Sequence, residues 1–229
     1  MPNGENPKKT IAVIGGTGKE GGGLALRWAH AGYPVIIGSR SAEKAEQAAT
    51  ELNAVLGAQV VRGADNPIAA HLAGLVVVSV PYAAHQDTLT AIKVELVGKV
   101  VVDVTVPIQP PNFTTVHLPE GRTAAEEARA LLGEDVRLVS AFQNVSATHL
   151  KDLDHPVDCD VLVTGDDTEA KQEVIALAEA AGMRGVDGGP LVNAIVAESL
   201  TPLLVGINRR YKVKAAGIRV TGLGGTDHD

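Results

Sequence analysis

The residues with the clearest chemical meaning form a glycine-rich turn near the amino terminus. Gly16, Gly18 and Gly21 fit the spacing G-x-G-x-x-G, directly after an apolar run at 11–14 and at the start of a helical pattern. In that context the first glycine permits a tight turn, the second lets the backbone approach a pyrophosphate, and the third lets helix and strand pack closely. The helix start adds free N–H groups and partial positive charge. The predicted phosphate-binding residues are Gly16, Thr17, Gly18, Lys19, Glu20 and Gly21.

A glycine-rich turn between a strand and a helix can also exist without any ligand, and that alternative stays open. A P-loop is excluded, because Lys19 is followed by Glu20 rather than by Ser or Thr and no G-x-x-x-x-G-K frame is present. The turn therefore predicts dinucleotide binding and does not predict nucleoside triphosphate binding.

The end of the second predicted strand indicates which dinucleotide fits. An NAD site commonly places Asp or Glu there to accept hydrogen bonds from the ribose, whereas this chain has Ser39 and Arg40. Ser39 can donate a hydrogen bond to a 2′-phosphate, Arg40 can form a charge-assisted fork, and Lys44 adds a second cation. Two alternatives remain: Glu43 could reach a ribose, and Arg40 with Lys44 could be solvated residues at a helix start. The pattern favours NADP(H).

Alternating apolar runs and helical patterns must position these groups. Strands are predicted at 10–15, 33–38 and 59–62, and helices at 21–31 and 41–56, where Ser41 can cap the helix. The order is β-α-β-α-β. The low aromatic content, 3% of residues, leaves Val, Ile, Leu and Ala to fill the core, as they do in covered parallel sheets.

The remaining chain continues this alternation. Unbroken apolar runs at 75–80 and 99–104 are typical of strands buried on both faces. Two more strands are predicted at 137–142 and 160–164, a helix at 167–181, and irregular chain at 107–119 and 143–158. The fold class is therefore α/β, a Rossmann-type doubly wound and mostly parallel sheet of seven or eight strands with a small C-terminal helical extension. The predicted division is a flexible N-terminus at 1–9, an NADP-binding Rossmann domain with substrate-cleft loops at 10–189, the helical extension at 190–225 and a flexible tail at 226–229.

The segment 190–210 predicts a long apolar helix, kinked or interrupted at Pro202. Such a helix either covers the cofactor cleft or packs on a second subunit, and we expect a homodimer. It ends in a basic run of Arg209, Arg210, Lys212 and Lys214. That run is either a solvated helix end or an attractor for an anionic substrate tail.

Composition excludes several classes of function. A formal net charge of −7 over 229 residues argues against nucleic-acid binding. The single cysteine, Cys159, excludes an intrachain disulfide framework and is expected to be buried in a strand, and the histidine spacings predict no metal site. The first residues lack a secretory signal, and no apolar run approaches the roughly 18 residues of a membrane span. We expect a soluble, cytoplasmic protein that acts on a small molecule and has no membrane partner.

The sequence also resembles a known family, the NADPH-dependent reductases of the deazaflavin coenzyme F420. They form a small Rossmann group related to the N-terminal domains of pyrroline-carboxylate and β-hydroxyacid reductases. The resemblance runs from about Thr10 to Leu223. Its most specific motifs are Gly15-Gly16-Thr17-Gly18, Gly38-Ser39-Arg40 with Lys44, Val80-Pro81 followed by His85, Gly189-Pro190-Leu191, and Glu198-Ser199-Leu200-Thr201-Pro202-Leu203.

The resemblance implies a dimer in which the deazaflavin stacks near the nicotinamide, in a cleft at the carboxyl ends of the strands. The implied cofactor-binding residues on the cleft side are Val80, Pro81, His85 and Val106, and the implied substrate-binding residues are Pro107, Phe142, Gln143, Asn144 and Gly217. The chain departs from the family after Ser140-Ala141-Phe142, where Gln143 replaces a common His. Gln143 or Asn144 can still hydrogen-bond a ring carbonyl, but neither titrates near neutral pH.

Hydride transfer between two stacked rings requires proximity and orientation, so the sequence predicts no catalytic acid or base. A carbonyl or imine acceptor would instead require a proton donor, for which His85, His149, Asp103 and Glu198 are the candidates. For His85 an exposed position at a helix start is the stronger interpretation, and for Asp103 a structural hydrogen-bond acceptor. A third alternative is a non-catalytic NADP(H)-sensing protein.

Overall fold

The computed structural model describes residues 8–223, and at its centre is one eight-stranded sheet. The strand order is β3-β2-β1-β4-β5-β6-β7-β8. The strands are β1 (Ile11–Ile14), β2 (Val35–Ser39), β3 (Val61–Asp65), β4 (Leu75–Val78), β5 (Val100–Asp103), β6 (Arg137–Ser140), β7 (Asp160–Gly165) and β8 (Arg184–Asp187). The first six strands are parallel, β7 runs antiparallel to β6, and β8 is parallel to β7.

Helices cover both faces of this sheet. They are α1 (Lys19–His30), α2 (Ala42–Leu56), α3 (Asn66–Leu72), α4 (His85–Ile92), α5 (Ala124–Leu132), α6 (Thr168–Ala180) and α7 (Ala194–Tyr211). Alternate residues of β1 belong to two apolar clusters: Ile11 and Val13 pack with α1, α2 and α6, while Ala12 and Ile14 pack with α3, α4 and α5. Burial on both faces explains why the central strands are continuous apolar runs.

The predicted α/β Rossmann fold is confirmed, but several strands end earlier than predicted. The run 75–80 is a strand only to Val78, because Ser79 and Val80 leave the sheet and line a cavity. The third strand begins later than predicted, at Val61, and its last residue, Asp65, caps α3 by accepting a hydrogen bond from the Ile68 N–H. Cys159 is buried as expected but lies one residue before β7 rather than within it.

Three elements were not predicted, namely α3, α5 and β8, and of α4 only the start at His85 was expected. Helix α3 has only seven residues, and β8 contains a single large apolar residue, Val186, so neither gives a strong periodic signal. Helix α5 did carry a usable signal, since Thr123 and Glu126 form a capping box at its start. The predicted flexible ends at 1–9 and 226–229 fall mostly or wholly outside the described residues.

The C-terminal helix corrects one expectation about apolar runs. The segment Leu191–Tyr211 has 21 residues, and an 18-residue window within it has a mean hydropathy of 1.5, so by length and composition alone it could span a membrane. The expectation that no run approaches that length was therefore wrong. The helix includes Pro202 without a break in helical structure, and its buried face contacts the rest of the chain through Ala197, Glu198 and Leu204.

Arg27 on α1 organises the irregular chain between β6 and β7. Its side chain is buried although it carries a guanidinium. Its nitrogen atoms donate hydrogen bonds of 2.8–3.2 Å to the carbonyl oxygens of His149, Leu150, Asp152, His155 and Ala181. The carbonyl groups of His149 and Asp152 also accept backbone N–H groups within the loop, whereas for those of Leu150 and His155 Arg27 is the donor among the described residues. Arg27 therefore fixes that loop to the helix that follows the glycine-rich turn.

We predict that Arg27→Met lowers the free energy of unfolding by about 3 kcal/mol, because it leaves buried carbonyl groups without donors. The measurement is urea unfolding, with the midpoint compared at unchanged slope. Arg62→Met is the matched control, since Arg62 is exposed. Arg62→Met is expected to lower the free energy of unfolding by less than about 0.5 kcal/mol. Equal losses in the two variants would contradict the role of Arg27.

Candidate dinucleotide-binding site

The turn between β1 and α1 presents free backbone donors at the carboxyl edge of the sheet. Helix α1 has Gly18 at its N-cap, which has no side chain to satisfy the N–H groups of the first turn. Gly15 has a φ of +82°, and a Cβ atom there would collide with the carbonyl oxygen of Ser79. Glycine is therefore required for the turn to pack against the end of β4. The result is a helix start open to an anion.

A cavity of about 380 Å³ lies beside this turn. Its walls come from the turn, from the junction of β2 and α2, and from the chain after β4. The lining residues are Gly15, Thr17, Gly18, Ser39, Arg40, Ser41, Lys44, Asn66, Ser79, Val80, Pro81, Ala84 and Thr88. The structure thus brings together seven residues predicted from the sequence: Thr17, Gly18, Ser39, Arg40, Lys44, Val80 and Pro81.

The cavity has the charge that an NADP(H) site requires. Arg40 and Lys44 line it, and the lining residues, all of them within the described chain, include no carboxylate. Glu43 is exposed on α2 and does not line the cavity. Asn66 is buried, and its Oδ1 atom has no hydrogen-bond partner among the described residues. Two cations, an unpartnered buried acceptor and an uncapped helix start fit a dinucleotide that carries a 2′-phosphate.

Four predicted residues of the turn do not line the cavity. A Cβ at Gly16 would lie 2.8 Å from Ile37 Cδ1, and one at Gly21 would lie 3.1 Å from the Gly15 carbonyl oxygen, so both glycines permit close packing. Lys19 is exposed. Glu20 has a buried Oε1 atom without a partner in the described chain, and burial raises its pKa from 4.5 to about 8.

Sequence reasoning missed six lining residues, which are Gly15, Ser41, Asn66, Ser79, Ala84 and Thr88. Asn66 directly follows β3, and Ser79 directly follows β4. In a parallel sheet the residues after the strand ends meet at one edge. That positional rule could have found Asn66 and Ser79, whereas Thr88 depends on how α4 packs.

His85 begins α4 as expected, but the prediction that it is exposed was wrong. The side chain is only 3% exposed, and Nε2 lies 2.8 Å from Asp103 Oδ2. Burial tends to lower the pKa of His85, but the charge and hydrogen bond of Asp103 outweigh it and raise the pKa above the usual value. The ring borders a separate cavity of about 560 Å³ between α4 and α5. His85 therefore does not line the dinucleotide cavity, although Ala84 beside it does.

The predicted substrate side forms a smaller cavity of about 170 Å³, lined by Gln143, Asn144 and residues of α7. Gln143 Nε2 donates to the Asp103 carbonyl oxygen at 2.8 Å, and Asn144 Nδ2 donates to the Asp160 carbonyl oxygen at 2.7 Å. Their amide oxygens, Oε1 and Oδ1, have no partner within residues 8–223. Gln143 Nε2 also donates to Ser140 Oγ at 2.7 Å, so both of its N–H groups are in use and the expectation that Gln143 donates to a ring carbonyl is corrected. Asn144 uses one of its two N–H groups among the described residues, so that expectation stays a prediction for Asn144.

Phe142 is not on a cleft wall. It is fully buried, with a φ of +75°, and its ring packs edge-on against Trp28 with centroids 5.7 Å apart. The substrate-binding prediction for Phe142 is corrected, because a side chain enclosed in the core cannot contact a ligand.

The other predicted cleft residues are Val106, Pro107 and Gly217. Val106 and Pro107 follow Thr105, whose hydroxyl lies 3.5 Å from the Val80 carbonyl oxygen. Gly217 borders a cavity of about 350 Å³ that shares Ser146 with the smaller one. A Cβ at Gly217 would lie 2.6 Å from Cys159 Cβ. Val106, Pro107 and Gly217 therefore line neither the dinucleotide cavity nor the smaller cavity.

The remaining proton-donor candidates are engaged elsewhere. His149 stacks on His155 with ring centroids 4.0 Å apart. Glu198 on α7 is 2% exposed and accepts hydrogen bonds from the N–H groups of Ala124 and Ala125 at 2.8 and 3.1 Å. It therefore caps α5, and burial raises its pKa to about 8 despite these bonds.

Comparison with known proteins agrees with this geometry. The family model described as NADP oxidoreductase, coenzyme F420-dependent, matches residues 10–107. The F420-dependent NADP reductase of Methanothermobacter thermautotrophicus is 45% identical in an alignment of 220 positions that covers 93% of this chain and 95% of that protein. The chain belongs to the F420-dependent NADP reductase family. The enzyme of the same name from Methanocaldococcus jannaschii is 43% identical over 93% of this chain and 98% of its own length.

A solved structure supports the same family. It is a protein of Arthrobacter sp. FB24, provisionally assigned as an F420-dependent NADP reductase, with a TM-score of 0.79 and 26% identity. The match covers 93% of this chain and 99% of that one. The predicted resemblance is confirmed, and with it the expectation of an NADP-dependent oxidoreductase. In this member of the family, Thr17, Ser39 and Arg40 line one cavity.

We predict that Glu20→Gln stabilises the protein at neutral pH. Burial raises the pKa of Glu20 from 4.5 to about 8, so ionisation in the folded state costs free energy as pH rises from 4.5 towards 8. Glu20→Gln removes this cost, so its free energy of unfolding should exceed that of the wild type by on the order of 2 kcal/mol at pH 7 and should equal it at pH 4. The measurement is the free energy of unfolding at both pH values. Glu51→Gln, on the exposed face of α2, is the control. A gain for Glu20→Gln that is equal at both pH values would contradict this account.

Proposed function

We propose that this protein transfers a hydride between NADP(H) and coenzyme F420. The observation that carries the proposal is the cavity in which Ser39, Arg40 and Lys44 lie beside the uncapped start of α1. Membership of the F420-dependent NADP reductases supports the second substrate. When bound, the nicotinamide gives or accepts the hydride, and the protein supplies binding and orientation.

Different residues of the cavity bind different parts of the dinucleotide. The N–H groups of residues 19–21 and the Thr17 hydroxyl bind the pyrophosphate, while the Gly18 N–H donates to the Gly15 carbonyl oxygen and holds the turn. Arg40 and Lys44 neutralise the 2′-phosphate, and Ser39 donates a hydrogen bond to it. Val80 and Pro81 pack against the nicotinamide end of the site.

Residues between the sheet edge and α7 bind the deazaflavin. Gln143 Oε1 and Asn144 Oδ1 are acceptors without a partner in the described chain, so they suit an N–H of the ring rather than its carbonyl groups. Val106 and Pro107 form the wall between the two ligands, and Gly217 borders the outer part of this side.

A carbonyl or imine reductase is less well supported than deazaflavin reduction. Such an enzyme needs a proton donor beside the nicotinamide. His85 and Glu198 are buried, and neither is among the residues that line the dinucleotide cavity. Asp103, 1% exposed, accepts hydrogen bonds as predicted. Direct transfer between two rings needs no such donor, which agrees with the absence of any predicted catalytic acid or base.

The apolar face of α7 supports a homodimer. Val196, Leu203 and Tyr211 are 55%, 49% and 74% exposed, and they follow one helical stripe with Leu200 and Ile207 between them. The opposite face of α7 is already buried in the chain. An exposed apolar stripe of this length fits a second copy related by a two-fold axis. The basic residues Arg209 and Arg210 are exposed in the last turn of the same helix.

We place the protein in the cytoplasm, where NADP(H) serves intracellular redox reactions, with small molecules as its substrates and no nucleic-acid or membrane partner. Residues 10–189 act as the NADP-binding domain with its cleft loops. The helical extension predicted at 190–225 is shorter, since α7 ends at Tyr211 and residues 212–223 are not helical, while 224 and 225 lie outside the described residues.

The function is tested by mixing the purified protein with NADPH and oxidised F420 and following the loss of deazaflavin absorbance. We predict NADPH-dependent loss, and a higher dissociation constant for NADPH in Arg40→Ala by about 10- to 100-fold, since a charge-assisted fork is lost. The dissociation constant for NADH should change less than about threefold. Arg62→Ala is the control. NADPH binding without F420 reduction would contradict the proposed activity and favour a sensor. If Arg40→Ala weakened the binding of NADPH and of NADH by the same factor, the role of Arg40 in binding the 2′-phosphate would be contradicted.

We predict that Leu203→Glu converts a dimer into a monomer, because it places a charge in the apolar stripe of α7. Light scattering after size exclusion measures the mass. Val94→Glu is the control, since Val94 is 82% exposed and lies before β5, outside α7. A wild-type protein that is monomeric at tens of micromolar would refute the dimer.

A further inference from the structure

Asp103, the last residue of β5, has all of its acceptor groups in use. Its Oδ2 atom lies 2.8 Å from His85 Nε2, and its Oδ1 atom accepts a hydrogen bond from the Thr105 N–H at 3.0 Å. Its carbonyl oxygen accepts hydrogen bonds from Gln143 Nε2 at 2.8 Å and from the Ala141 N–H at 3.2 Å. One buried residue therefore joins three segments of chain that leave the carboxyl edge of the sheet.

These three segments form the walls of both proposed ligand sites. The first, 79–85, contributes Val80, Pro81 and Ala84 to the dinucleotide cavity and ends at His85. The second, 104–107, touches the first where the Thr105 hydroxyl lies 3.5 Å from the Val80 carbonyl oxygen. The third, 141–146, lines the smaller cavity next to α7. Asp103 thus connects the wall behind one ligand with the wall behind the other.

Stability alone does not account for this pair. The attraction between a buried imidazole and a carboxylate is offset by the desolvation of both groups, so such pairs contribute little net stability. The charged groups that face His85 are Asp103 from β5, Glu198 from α7 and Glu127 from α5. The Asp103 contact is a direct hydrogen bond, and its geometry fixes the first residue of α4 relative to the end of β5.

We propose that His85 and Asp103 are positioning residues, which set the separation between the dinucleotide wall at 79–85 and the deazaflavin wall at 141–146. This inference rests on the proposed function, since it assigns the two walls to the two rings. Neither side chain touches a substrate, as they are 3% and 1% exposed. They act on the separation of the walls indirectly: His85 holds its neighbour Ala84 in place, and the Asp103 carbonyl group holds Gln143. The rate of hydride transfer falls steeply as the distance between the reacting atoms increases.

The test compares His85→Leu, which removes the hydrogen-bonding nitrogen, with His85→Gln, which restores one. In a single turnover at saturating NADPH and F420, we expect His85→Leu to be slower by about tenfold or more, with a change in the NADPH dissociation constant below about threefold. His85→Gln should recover most of the rate. The controls are His71→Leu and His71→Gln, because the side chain of His71 on α3 is 70% exposed and pairs with Glu95.

A second readout needs neither ligand nor turnover. Amide hydrogen exchange, followed by mass spectrometry, should become faster in both 79–88 and 141–146 in His85→Leu, and both segments should return towards wild type in His85→Gln. If His85→Leu does not fold, Asp103→Asn replaces it in both measurements. A single-turnover rate within twofold of wild type, or faster exchange confined to α4, would overturn the proposal. Wild-type protein that fails to reduce F420 would refute the proposed function, while the exchange measurement would still decide whether the two walls are coupled.

Discussion

The reversal of strand order between β1 and β4 is the constraint on which the site depends. The chain builds β1, β2 and β3 in one direction from β1 and then crosses to place β4 on the other side of β1. The helices on the two sides of this point diverge, and a crevice opens outside the strand ends. Gly15 closes the floor of that crevice, because only a residue without Cβ can lie against the Ser79 carbonyl group. The cavity for the dinucleotide follows from this topology.

Buried polar residues then join the crevice to the rest of the molecule. Arg27 ties the loop after β6 to α1, and Glu198 ties α7 to the start of α5. Asp103 ties the chain after β4 to the chain after β6. Each group is buried, and each hydrogen-bonds to backbone or to another buried side chain, which removes much of the cost of its burial. The parts that bind ligand are therefore loops held by a small number of polar contacts.

The sequence was informative wherever the chemistry is local. The turn 15–21 with its flanking strand and helix, and Ser39 with Arg40 at the end of β2, are contiguous in the chain, so spacing and residue type were enough to predict the nucleotide side. Burial of His85 was not predictable, because its partner Asp103 lies 18 residues away, at the end of β5. The same holds for Phe142, which was expected on the cleft but packs against Trp28. Contacts that depend on which strands become neighbours leave no periodic or motif signal.

In the proposed reaction the nicotinamide and the deazaflavin meet between the dinucleotide cavity and the smaller cavity, so that hydrogen passes between them without an intermediate carrier. The most direct measurement uses NADPH that carries deuterium at C4 of the nicotinamide, in each of the two stereochemical positions separately, with mass spectrometry of the reduced F420. The account predicts that one of the two isomers delivers a full deuterium to carbon of the deazaflavin and that the other delivers none. Equal transfer from both isomers, or loss of the label to water, would contradict it.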